Sequence, residues 1–158
     1  MRKVLFLLLF CIALLSCSKS SSTPEEEKSI YTPQQQKVQS IFTGQFKEDY
    51  MGERYKTIIW GAKFSTPVEY TSSLNSSIKA SFMGKLKYYY YDDTANTYDA
   101  VYWITGDGTQ LLIFGANDAN KTIFSEESYA ITVINNDEFI LRNLKSTFKD
   151  ESKFKREK

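Results

Sequence analysis

Histidine is absent from this chain, and cysteine occurs only twice, at Cys11 and Cys17. Without imidazole there is no Ser-His-Asp or Cys-His nucleophile system and no His-based zinc or iron site. Both cysteines lie within the first 17 residues, so everything downstream lacks a thiol and cannot form a disulfide. An excess of charge of one sign is also missing, since the formal net charge is +1. Nucleic acid, which selects for a strongly basic surface, is therefore not an expected partner.

At the N-terminus, Arg2 and Lys3 precede an unbroken apolar run from Val4 to Leu15. That arrangement has the shape of a cleavable signal peptide. The run falls well short of the roughly 20 residues that a helix needs to cross a bilayer, and no later segment is more apolar. Leu14-Leu15-Ser16-Cys17 follows, which resembles the lipobox of bacterial lipoproteins, with Leu15 where a smaller residue is usual. The resemblance implies cleavage after Ser16 and a thioether-linked diacylglycerol on Cys17, with palmitate-type chains holding the protein on a membrane. Each buried methylene contributes about 0.8 kcal/mol, so two or three such chains suffice as an anchor. The alternative is a plain secretory signal in which Cys17 is incidental. The expected organisation is a signal peptide over 1–16, a lipidated flexible tether over 17–31 and one folded domain over 32–158. The expected location is the cell outer membrane, with periplasmic and surface-facing orientations both open.

The tether reads SKSSSTPEEEKSI from Ser18 to Ile30 and offers almost nothing to bury. Its acidic run, Glu25-Glu26-Glu27, is read as a charged spacer; the alternative is a partial export signal to the outer surface.

Thr32-Pro33-Gln34-Gln35 sets an N-cap, a proline at the first helical position and a capping-box glutamine in order. A short helix is expected there, with Val38, Ile41 and Phe42 on one face and Gly44 as its stop. Beyond Gly44 the apolar period changes to two. Ile58, Trp60, Ala62 and Phe64 form one stripe, and Leu86, Tyr88 and Tyr90 another. Tyr129, Ile131 and Val133 share a parity, as do Phe139 and Leu141. Ala100–Thr105 and Gln110–Phe114 are apolar on both parities, as central strands or strands under a covering segment would be. Turn residues separate these runs at Asp92–Asn96, Gly106-Asp107-Gly108, Asn117–Asn120 and Asn135–Asp137. One early helix followed by short strands and hairpin turns predicts an all-β antiparallel meander of about eight strands, closing into a small barrel.

The same stretch resembles the lipocalin-like domains of small bacterial lipoproteins. The matching positions are Gly44-Gln45-Phe46, where the family has Gly-x-Trp, then Asp107-Gly108-Thr109, Tyr129-Ala130-Ile131 and Phe139-Ile140-Leu141. The resemblance implies a calyx for a small apolar or amphipathic ligand. Trp60, Tyr88, Tyr90, Trp103 and Tyr129 are the candidate ligand contacts, and packing in an ordinary sheet core is the plainer role for each. Tyr89 and Tyr91 face the other way from Tyr88 and Tyr90, and with an exposed Trp103 they would form a contact patch for a glycan or an envelope protein.

Catalysis would have to come from carboxylates, Tyr, Lys and Ser alone. Asp92-Asp93 and Glu126-Glu127 are adjacent pairs, and neighbouring strand residues point to opposite faces, so they read as solvated charge rather than an acid–base pair. No calcium loop or phosphate-cradling glycine motif is present, and neither a cofactor nor an enzymatic activity is expected. The stretch Lys145–Lys158 carries six basic and three acidic side chains. It is read as a charged final strand with a frayed end, and anionic headgroup contact is the alternative. Two classes of function follow: a ligand-binding lipoprotein with a barrel pocket, or an envelope contact protein with a filled core and an exposed aromatic face.

Overall fold

The computed structural model describes residues 29–49, 55–147 and 150–158. The one helix among the described residues, α1 (Pro33–Ile41), starts as its sequence requires. Thr32 Oγ1 accepts from the Gln35 N–H at 3.1 Å, and Gln35 Oε1 accepts from the Thr32 N–H at 2.9 Å, completing the capping box. Val38, Ile41 and Phe42 are buried. Gln35 and Gln39 are also buried, donating to the backbone carbonyls of Ile104 at 2.7 Å and Met83 at 3.3 Å. Polar side chains on the inner face of α1 thus pin it to the ends of the strands beneath.

The strands are β1 (Gly44–Glu48), β2 (Lys56–Ser72), β3 (Lys79–Tyr90), β4 (Asp93–Ile104), β5 (Gln110–Asn117), β6 (Thr122–Ile123), β7 (Glu127–Asn135), β8 (Glu138–Asn143) and β9 (Glu151–Arg156). All but β6 pair antiparallel in a meander, and β9 returns to β1, which pairs with β2, so eight strands close a barrel. This is the expected fold class: all-β, a closed antiparallel barrel of eight strands, preceded among the described residues by one short helix. The charged C-terminal segment is the strand that closes it. Phe154 faces inward at 2 % exposure while Lys153 and Lys155 pair with Glu138 and Asp49 outside.

The barrel is filled. Phe46, Ile58, Trp60, Leu86, Tyr102 and Phe139 come from five strands and meet Phe42 from the end of α1. Fully burying such side chains contributes about 1.5–3 kcal/mol each. The helix closes one end: Thr32 Oγ1 donates to the Gly106 carbonyl at 2.6 Å, and Arg156 donates to the Ile41 carbonyl at 3.1 Å and to Asp137 at 2.8 Å. Gly108, in the β4–β5 turn under α1, has φ +74°, and a Cβ there would lie 3.3 Å from Gln34 and Val38. Glycine meets both demands.

Two local expectations are corrected. The stripe Ile58-Trp60-Ala62-Phe64 does not continue past Trp60, because the β2–β3 register shifts between Trp60 and Lys63 and again between Lys63 and Val68. Such bulges bend a strand and re-aim its side chains. Ala62 is left exposed, and Phe64 packs in a second cluster with Tyr70, Phe82, Val101, Ala116 and Ile123. The bent outer half of β2, with β3 and the short β6, thereby covers the outward face of β4 and β5. That cover explains why those two strands are apolar on both parities. The turn expected at Asp92–Asn96 is reduced to Tyr91-Asp92, and Asp93–Asn96 belong to β4.

Candidate functional site: the tyrosine mouth of the barrel

The end opposite α1 is lined by polar and aromatic side chains on the inward parity of their strands. The register pairs Lys56 with Tyr90, Ile58 with Tyr88, and Tyr88 with Tyr98, while Glu127 lies opposite Ile113. Because Ile58 and Ile113 point into the core, their partners do also, and Lys56 follows two residues before Ile58. Lys56 Nζ stands 4.8 Å from the Tyr88 ring centroid, 5.5 Å from that of Tyr90 and 5.9 Å from that of Tyr129. Those distances are within cation–π range. Glu127 Oε2 accepts from Lys56 at 3.2 Å and from the Tyr129 hydroxyl at 2.6 Å. The Lys56 side chain is 14 % exposed and that of Glu127 34 %. Tyr88 and Tyr98 are stacked, with centroids 5.3 Å apart.

Burial, reinforced by the Glu127 charge, pushes the Tyr88 hydroxyl up to about 12. The same causes raise Tyr129 further still. Both phenols therefore stay protonated and present ring faces and hydrogen bonds rather than nucleophilic oxygen. Beneath the rings lies a cavity of about 110 Å3 between Glu48, Lys56, Tyr90, Tyr129 and Ser152. At roughly 30 Å3 per water, it holds a few waters or the tip of a ligand. A drug-sized ligand needs about 300–1,000 Å3.

On the other face of the β3–β4 hairpin, Tyr91 is 58 % exposed and stacks on Tyr55 at 4.6 Å. Lys47 Nζ lies 4.2 Å from the Tyr55 centroid, and Gln45 donates to the Tyr89 hydroxyl at 3.3 Å. Tyrosines thus cover both faces of this tip.

Of the residues singled out in the sequence, Tyr88, Tyr90 and Tyr129 come together here. Trp60 is buried deeper, stacked on Phe42, and Trp103 is half-buried on the outer wall with its ring 6.4 Å from that of Tyr31. Lys56, Tyr98 and Glu127 were not singled out as site residues. A signal for two of them was present: Lys56 shares the parity of Ile58 and Trp60, and Glu127 that of Tyr129 and Ile131. A charge on an apolar parity marks a buried pair or a pocket. Cys17 lies outside the described residues. Among the described residues no group of three or more His, Cys, Asp or Glu could hold a metal ion, and no helix is long and apolar enough to cross a membrane.

What the fold defines is a closed up-and-down barrel with one helix-covered end and one tyrosine-lined end. No protein-family model, curated protein or solved structure matches the chain.

Proposed function

We propose that this protein is a lipid-anchored, non-enzymatic binding protein of the outer membrane that takes the ring-bearing end of a small amphipathic molecule at its tyrosine mouth. The observation that carries this reading is the ring of Tyr88, Tyr90 and Tyr129 around the Lys56–Glu127 pair. Tyrosine supplies both an apolar face and a hydroxyl, which suits an amphipathic ring. The filled interior and the 110 Å3 cavity turn the expected deep calyx into a shallow seat. The ligand rests across the rings instead of threading the barrel. Membrane attachment comes from diacylglycerol on Cys17, with the segment up to Ile30 as spacer.

The filled core and the outward Tyr55, Tyr89 and Tyr91 favour a second reading, in which the hairpin tip contacts an envelope protein or glycan. One experiment separates the two. Small molecules that copurify with the native protein are identified by mass spectrometry, for wild type, Tyr90→Ala and Tyr91→Ala. A ligand lost only in Tyr90→Ala supports the mouth. Wild-type protein with no copurifying ligand, and a partner crosslinked through Tyr91, support the contact surface.

A further inference from the structure

The largest departure from a simple barrel is the bent outer half of β2, and it leaves a cleft of about 410 Å3 against the outer wall. That volume is inside the range of small-molecule sites, whereas the mouth is below it. The floor is made of small side chains, Gly61, Ala62, Val101 and Ala116. Gly61 admits nothing larger without crowding: a Cβ there would sit 3.2 Å from the Lys85 carbonyl oxygen.

The rim is ionic and unevenly balanced. Asp118 accepts from Lys121 at 2.5 Å, from Lys85 at 2.5 Å and from the buried Tyr70 hydroxyl at 2.7 Å. One carboxylate therefore serves two ammonium groups. Lys87 pairs with Asp99 at 3.3 Å, with both side chains more than half exposed at 59 % and 57 %. An exposed pair of this kind is worth little and opens readily. Lys85, Lys87, Asp99 and Asp118 line the cleft, and Lys121 stands outside it against Asp118, so the cluster as a whole sets three lysines against two aspartates. Lys85 and Lys87 are two residues apart on β3, so they project from the same face roughly 7 Å from each other.

We propose that this outer cleft is a binding site for a small amphipathic anion, a carboxylate with a short apolar body, with the carboxylate between Lys85 and Lys87 and the body on the floor of Gly61, Val101 and Ala116. Charge complementarity selects the headgroup, since Lys121 outside the cleft shares Asp118 and leaves Lys85 and Lys87 incompletely balanced by the carboxylates of the lining. The small side chains select the body, because they leave apolar surface that water covers poorly. The site is separate from the tyrosine mouth and does not depend on the reading given for it.

The test uses octanoate, with octylammonium as the probe of opposite charge, titrated into the purified full chain while backbone amide shifts are followed. Octanoate is expected to move the amides of Gly61, Val101 and Ala116, with octylammonium at least about tenfold weaker, in line with the strength of charge-assisted hydrogen bonds. Lys87→Gln, a change in an exposed pair that leaves the fold intact, is expected to weaken octanoate about tenfold. Asp99→Asn is expected to strengthen it by releasing Lys87, a gain that a purely structural role would not produce. Shifts centred on Tyr88 and Tyr129, equal binding of the two probes, an unaltered Kd in Lys87→Gln, or no binding at all would overturn the proposal.

Discussion

The ring of Phe42 lies flat on the indole of Trp60, with centroids 4.0 Å apart and planes 7° apart. Phe42 caps α1 and Trp60 is the last inward residue of the regular part of β2, so this contact joins the helix to the barrel interior. Tyr102 meets the same indole edge-on at 5.1 Å, and Phe139 packs against Phe42 at 5.0 Å. The barrel is filled from its helix end by these rings. Trp60→Ala should therefore cost about 3–5 kcal/mol in urea unfolding, the range for a large aromatic removed from a packed core. It should also open a dry cavity that takes up indole. A loss below about 1 kcal/mol would mean that the interior is loosely packed.

Much of this arrangement is legible in the chain. The parity of Ile58 and Trp60, of Leu86, Tyr88 and Tyr90, and of Phe139 and Leu141 places each on the inward face, and the capping box marks the start of α1. What is not legible follows from where the alternation stops. The bulges after Trp60 and Lys63 change which face is inward, and although Gly61 and Pro67 are residues that bulges favour, they do not say which register follows. The outer cluster and the cleft beside it both depend on that bend. The Lys56–Glu127 pair joins residues 71 apart in the chain, so a single strand shows only one charge on an apolar parity.

Gly108 and Gly106 flank Asp107 in one turn and should respond differently to alanine. Gly108 has φ +74° and its Cβ would crowd Gln34 and Val38 at 3.3 Å, whereas the nearest atom to a Cβ on Gly106 is 3.8 Å away. Gly108→Ala should cost about 1–2 kcal/mol, from left-handed backbone strain and displacement of α1. Gly106→Ala should stay within about 0.5 kcal/mol. Thermal unfolding of the two variants checks the difference.

The lipid anchor is tested at its own residue. Cys17→Ala should abolish palmitate labelling and release the protein from the membrane fraction. Labelling that persists in the variant would remove the lipoprotein reading and leave a plain secretory signal.

At alkaline pH the buried tyrosines should limit stability. Burial pushes Tyr102 up to about 12, and burial with a nearby carboxylate does the same for Tyr70 beside Asp118 and for Tyr88 near Glu127. A phenol has an ordinary value of about 10, so its protonated form is favoured in the folded state. The resulting stability is fully present below about pH 10 and is lost as pH rises from there to about 12. Phenolate absorbance should accordingly show a late group of tyrosines whose ionisation coincides with loss of the folded circular-dichroism signal. Ionisation of every tyrosine near pH 10 with the fold intact would contradict the burial of these three.

Lys56 and Glu127 offer the sharpest test of the mouth, because the two partners are not equally exposed. Lys56→Met keeps the aliphatic stem against the tyrosine rings and leaves Glu127, 34 % exposed, with the Tyr129 hydroxyl 2.6 Å away as a donor. The cost should be about 1 kcal/mol or less. Glu127→Ala instead strands an ammonium whose side chain is 14 % exposed, with ring faces and a long 3.5 Å contact to Tyr129 as its remaining partners. Removing one member of a largely buried pair leaves an uncompensated charge, so this variant should cost more, about 2–3 kcal/mol. The double variant should be less damaging than the sum of the two, with a coupling energy of about 1 kcal/mol or more from urea midpoints. Strict additivity would mean that the ammonium and the carboxylate act independently. In that case the tyrosines alone, and not a charged pair inside them, would define the mouth.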